Sequence, residues 1–174
     1  GISKAVTAPI VGIGTAAVGT AVSFLSLRES AQTAFSTMLG SGEAASKMIG
    51  DLYTFAKKTP FKFDGMMQSA QQLISMGMAA ENVIPTLTAV GDAAAASGKG
   101  QEGFGAITAA LGKMQAQGQV SLEEIWSLSD NGVQALQILA NKSGRSIDEM
   151  KEAISDGAVE SGWAIQAPVS YTHL

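Results

Sequence analysis

The chain contains no cysteine and a single histidine, His173, the residue before last. Without thiols there are no disulfides, no thiolate zinc sites and no cysteine nucleophile, a composition that fits a reducing cytoplasm. One histidine in a terminal stretch leaves no Ser-His-Asp triad and few ways to build a metal site. Charged residues are scarce at 15% and aromatics at 6%, whereas apolar residues reach 46% of the 174. That is the reverse of a disordered composition, and the length suits one ordinary domain with a real core. Abundant alanine, glycine and methionine favour closely packed helices and an all-α fold.

Charge is unevenly placed. Residues 1–63 carry six Lys/Arg against three acids, and residues 64–174 carry five against twelve. An acidic surface repels phosphate backbones, so no specific nucleic-acid binding is expected.

Between Lys4 and Arg28 no side chain is charged. The run 5–27 is as long as the roughly 20 residues of a membrane-spanning helix. Against that reading stand Pro9, Gly12, Gly14, Gly19 and five Ser/Thr, with a hydrophobicity drawn largely from Ala and Val. The alternative is a buried or self-associating helix starting after Pro9. Residues 1–30 are accordingly read as an apolar Ala/Gly/Val-rich helical segment. Gly1 suggests a piece of a longer chain.

Periodicity then predicts about six to eight short helices in one compact multi-helix domain over 31–160. Phe24, Leu27, Ala31, Ala34, Phe35 and Met38 mark the first stripe, which ends at Gly40. Glu43–Lys58 carries Met48, Ile49, Leu52, Phe55 and Ala56. Further stripes are Met67, Ala70, Leu73 and Ile74; Val83, Ile84, Leu87 and Val90; and Phe104, Ile107, Leu111 and Met114. Pro85 is placed in a first turn, and Ser97–Gly100 reads as a flexible loop. The acidic end reads as three short helices packed on Trp126, Leu128, Leu136, Leu139, Ile147 and Ile154. Two echoing segments there, SLEEIWSLSDNG and SIDEMKEAISDG, predict capping boxes at Ser121 with Glu124 and at Ser146 with Glu149. After Gly157 the pattern dissolves. PVSYTHL looks like translated adapter sequence, so 161–174 is read as unstructured and non-native.

The connector KKTPFKFDG (57–65) is unusual in placing two phenylalanines outside regular structure. Pro60 bars Thr59 from continuing the preceding helix, and Asp64 is predicted to cap the next one. On an extended piece Phe61 and Phe63 point the same way, able to anchor the connector onto the core.

Catalytic constellations are weak. Glu123–Glu124 and Asp148–Glu149 fit the first turn of a helix, where negative charge is stabilised by the dipole, better than a glycosidase pair. Neither GSGEAASK nor GDAAAASGKG satisfies the phosphate-loop spacing. The cluster Met66, Met67, Met76 and Met78 suits either an adaptable surface or an irregular core, and the core is favoured. No catalytic residue, metal or cofactor is expected.

As an ordered set, TPFKF, VIPTLTAVGDAA, ALGKMQAQGQVS and LEEI, with KAVTAPIVGIG and AFSTMLGSGEAA upstream, resemble the tape measure domain of long-tailed phage tail tape measure proteins over residues 3–158. The resemblance implies a structural, non-enzymatic role in tail assembly and tail-length determination, with DNA ejection as a further role. It implies the virion tail, and the bacterial host cytoplasm during assembly, as its locations. Implied partners are the tail tube protein, tail assembly chaperones and tail-tip proteins. Two other functions stand beside it: a membrane-active segment making transient contact through 5–27 at DNA entry, and, less favoured, a peptidoglycan-degrading module.

Overall fold

A computed structural model describes residues 15–171, with side chains described over 25–167. The described residues form nine α-helices: α1 (Thr15–Leu39), α2 (Gly42–Ala56), α3 (Phe63–Ser75), α4 (Ala80–Ala96), α5 (Gly100–Gln117), α6 (Leu122–Asp130), α7 (Ala135–Ser143), α8 (Ile147–Ser155) and α9 (Ser161–Tyr171). The all-α class stands, with one more helix than the expected six to eight.

The two-residue link Gly40–Ser41 folds α2 back along α1. Ser41 starts α2 by accepting from the Ala44 N–H, which satisfies one of the donors a helix start leaves free. Across the pair, Gln32 donates to the Gly42 carbonyl at 2.9 Å and accepts from the Ser46 hydroxyl at 3.2 Å. Ala31 and Phe35 of α1 and Ala45, Met48, Ile49 and Leu52 of α2 are buried, so the predicted stripes do form the shared face. Met38 departs from its stripe and is exposed.

α5 is the central element, packed on α3, α4, α6 and α9. Gly103, Phe104, Ile107, Thr108, Ala110, Leu111, Gly112 and Met114 are all buried along it. Such breadth exceeds one apolar stripe and marks a helix surrounded by neighbours. Met66, Met67 and Met78 are buried too, so most of the methionine cluster fills core. Pro85 is the sixth residue of α4, deeper than a first turn, on an exposed position.

Several expectations need correcting. The boundary at 30/31 falls inside α1, because the apolar run from Thr15 onward continues as the same helix that carries Phe35. Among the described residues no helix is long and apolar enough to cross a membrane, and residues 5–14 of the uncharged run lie outside them. Residues expected to be unstructured after 160 include α9, whose Ala164, Ile165 and Ala167 are buried against α4, α5 and α7. Its apolar residues are not confined to the buried face, since Trp163 is exposed, which leaves little helical periodicity to read. The Ser97–Gly100 loop is pinned: the Lys99 ammonium donates to the Asp130 carbonyl, joining the α4–α5 and α6–α7 turns. Between the α5–α6 and α8–α9 connectors, Val120 N–H donates to Val159 O at 2.9 Å and Ser161 N–H to Gly118 O at 3.1 Å. This short antiparallel bridge closes the acidic end.

Candidate interaction surface

The connector predicted from the sequence packs on the core through both rings, Phe61 buried and Phe63 partly buried. α2 ends at Ala56, and Lys58 and Thr59 N–H groups bond the carbonyls of Phe55 and Ala56 in a tightened last turn before Pro60. Phe61 is buried, its ring 4.7 Å from that of Phe104 and tilted by 36°. A Cβ added at Gly91 would lie 3.2 Å from the Phe61 ring, so α4 also meets it closely. Thr59 is half-buried, with its Oγ1 buried and lacking a hydrogen-bond partner among the described residues.

α3 begins at Phe63, so Asp64 lies inside its first turn and is not the cap. Lys62 occupies the cap position and its side chain makes no capping bond. Instead the Gln101 side chain, from the first turn of α5, accepts from the Lys62 N–H at 3.0 Å. Because Phe63 is already helical, the two-residue alternation of extended chain no longer applies. Phe61 is buried, whereas Phe63 is partly buried against the core and meets Tyr53 edge-on at 5.7 Å.

The two predicted caps also diverge. Ser146 forms the full reciprocal box: its Oγ accepts from the Glu149 N–H, and the Glu149 carboxylate accepts from the Ser146 N–H at 2.7 Å. Those bonds, first from the backbone and then from the hydroxyl, hold the Glu149 carboxyl below the usual glutamate range, with Arg145 adding to the effect. At Ser121 only half the box exists. Ser121 Oγ accepts from the Glu124 N–H, and its hydroxyl donates to the Glu124 carboxylate, which leaves the Ser121 N–H outside the exchange. Glu124 is buried where α6 packs on its neighbours, while Glu149 is exposed. Trp126, expected in the core, is 49% exposed.

Beside the connector is an open groove of about 260 Å³ lined by Arg28, Ile49, Gly50, Tyr53 and Phe63. α1, α2 and α3 each supply part of it. Tyr53 is 44% exposed, and the Lys57 ammonium sits 5.1 Å from its ring centroid in cation–π contact. A Cβ added at Gly50 would meet nothing within 4 Å, so the groove floor is open there. None of Arg28, Tyr53 or Gly50 stood out in the sequence, because only the approach of three helices brings them together.

The family model described as tape measure protein matches residues 20–167, which is nearly the whole described fold from α1 to α9. The chain belongs to the tape measure protein family. That is the family whose tape measure domain its motif set resembles. It is similar to the Mu-like prophage FluMu protein gp42 of Haemophilus influenzae (strain ATCC 51907 / DSM 11121 / KW20 / Rd), at 29% identity over 160 residues. The alignment covers 87% of this chain and 25% of that relative, so this tape measure domain spans about a quarter of its length. No solved structure matches.

Proposed function

We propose that this domain is a non-catalytic assembly module of a phage tail, acting within the virion tail and, during assembly, in the bacterial host cytoplasm. The observation that carries the reading is the family match over 20–167, which coincides with a packed helical fold rather than with an extended spacer. The partners proposed are the tail tube protein, the tail assembly chaperones and tail-tip proteins. Its compactness bears on tail length. Residues 20–167 would span roughly 220 Å as a continuous helix at 1.5 Å per residue, far more than a nine-helix domain extends. The domain therefore adds contacts more than reach to tail-length determination. Its acid pairs serve as first-turn charges in α6 and α8, which supports a role without catalysis.

An in-frame deletion of residues 20–167 in the parent phage tests this. The expected result is a large loss of complete tails and of infectious particles. Fully infectious phage with tails shortened by the full helical length would mean a spacer, and would reject the assembly role.

A further inference from the structure

We infer that the Arg28–Tyr53–Phe63 groove is a docking site for a second copy of this chain, which inserts the Trp126 ridge of its α6. Glu123, Trp126 and Asp130 stand at three- and four-residue spacing on one exposed face of α6. Trp126 is among the most exposed large apolar side chains of the described residues. It is thus a large apolar anchor flanked by a carboxylate one turn to either side. The groove offers the complement. It has an apolar floor and wall in Ile49 and Phe63, an open place at Gly50, and cations at Arg28 and Lys57, with Lys62 next to Phe63 in the chain. Among the described residues the ion pairs are Lys47–Asp51, Lys113–Glu123 and Lys151–Asp148, so these three cations have no carboxylate partner. The Lys113–Glu123 pair is long, at 3.9 Å, and both side chains are solvent-exposed, so it competes little with an intermolecular partner.

α1 packs on α2 and α3, and α6 on α5, α7 and α8, so the ridge that enters the groove comes from a second copy and not from the same molecule. The charge segregation between residues 1–63 and 64–174 favours the same head-to-tail order. Groove to ridge is a heterologous contact, which propagates through successive copies instead of closing on a two-fold axis. An indole entering a desolvated pocket between charged rims is the usual composition of an interface hot spot.

Sedimentation velocity of the 174-residue chain over a range of protein and NaCl concentrations reads this directly. The wild type should associate with increasing concentration and dissociate as salt rises. Gly50→Glu places an acid in the groove at a position with free space, and Trp126→Ala removes an exposed side chain, so both variants should keep the wild-type circular dichroism. Each should weaken association by about tenfold or more. Mixed together, they should form dimers and nothing larger, since one retains its ridge and the other its groove. A wild type monomeric at every concentration, variants that associate normally, or a mixture that stays monomeric would each overturn the assignment. So would a monomeric wild type whose groove takes up an acidic tryptophan peptide, because the occupant would then be another protein.

Discussion

The ring of Phe61 lies 4.7 Å from that of Phe104, tilted by 36°, and joins the α2–α3 connector to the central helix α5. Phe104 is fully buried and Phe61 5% exposed, so truncating either leaves a cavity as well as losing apolar transfer. Phe61→Ala and Phe104→Ala should each cost about 3–5 kcal/mol in urea unfolding. Phe63→Ala, at a partly buried ring packed on the core and on Tyr53, should cost less, about 1–2 kcal/mol. Equal losses at 61 and 63 would mean that the two rings anchor the connector equally.

Gln101 caps α3 from another helix, and the neighbouring glycine makes room for it. A Cβ added at Gly65 would overlap Gln101 Nε2, the far end of a flexible side chain that can swing away. Gly65→Ala should therefore gain up to about 1 kcal/mol of helix propensity and lose the Lys62–Gln101 bond, a comparable amount at roughly 0.5–1.5 kcal/mol, for a net change near zero. In a Gln101→Ala background the bond is already absent, and the same substitution should stabilise by about 0.5–1 kcal/mol. A double-mutant cycle on thermal unfolding measures the difference. Additive effects would mean that the amide does not cap α3.

The α5 stripe of Phe104, Ile107, Leu111 and Met114 is buried as its spacing predicts, because helical periodicity is local information. Asp64 reads as a cap on equally local grounds, yet the cap of α3 comes from Gln101, 39 residues beyond Lys62. No window around Asp64 contains that bond. Ser121/Glu124 and Ser146/Glu149 have the same motif and differ in outcome, since α6 is pressed against α5 and buries its glutamate while α8 leaves Glu149 at the surface. α9 carries no clear helical stripe, because apolar Trp163 is exposed while Ala164, Ile165 and Ala167 are buried. The groove leaves no signal in any one segment because Arg28, Gly50 and Phe63 come from three helices.

Gly132 has two reasons to be glycine. Its φ is +84°, a left-handed conformation, and an added Cβ would lie 2.5 Å from the Ser97 Cβ in the pinned α4–α5 turn. Gly118 caps α5 at φ +74° with nothing within 4 Å of its missing Cβ. Gly118→Ala should thus cost the left-handed penalty alone, about 1–2 kcal/mol. Gly132→Ala should cost clearly more, and Ser97→Gly should recover part of the excess by removing the facing carbon. Indistinguishable losses at 118 and 132, measured by urea unfolding, would mean that the two turns do not touch.

Acid should loosen α8 through Glu149. Its carboxyl is depressed in the folded chain by the Ser146 N–H and hydroxyl, so the folded state holds fewer protons than the unfolded state between the two values. The resulting stabilisation is present above the ordinary glutamate range. It declines as pH falls through that range and is lost below the folded value. Glu149→Gln keeps an acceptor for the Ser146 N–H but removes the titration, so its stability should follow pH less steeply across this window than the wild type does. Ser146→Ala removes the hydroxyl, and the Glu149 carboxyl, followed by carbon-detected NMR titration, should move up toward the ordinary glutamate value. An unmoved titration in Ser146→Ala would show that the hydroxyl has no part in the depression, leaving it to the backbone bond and Arg145.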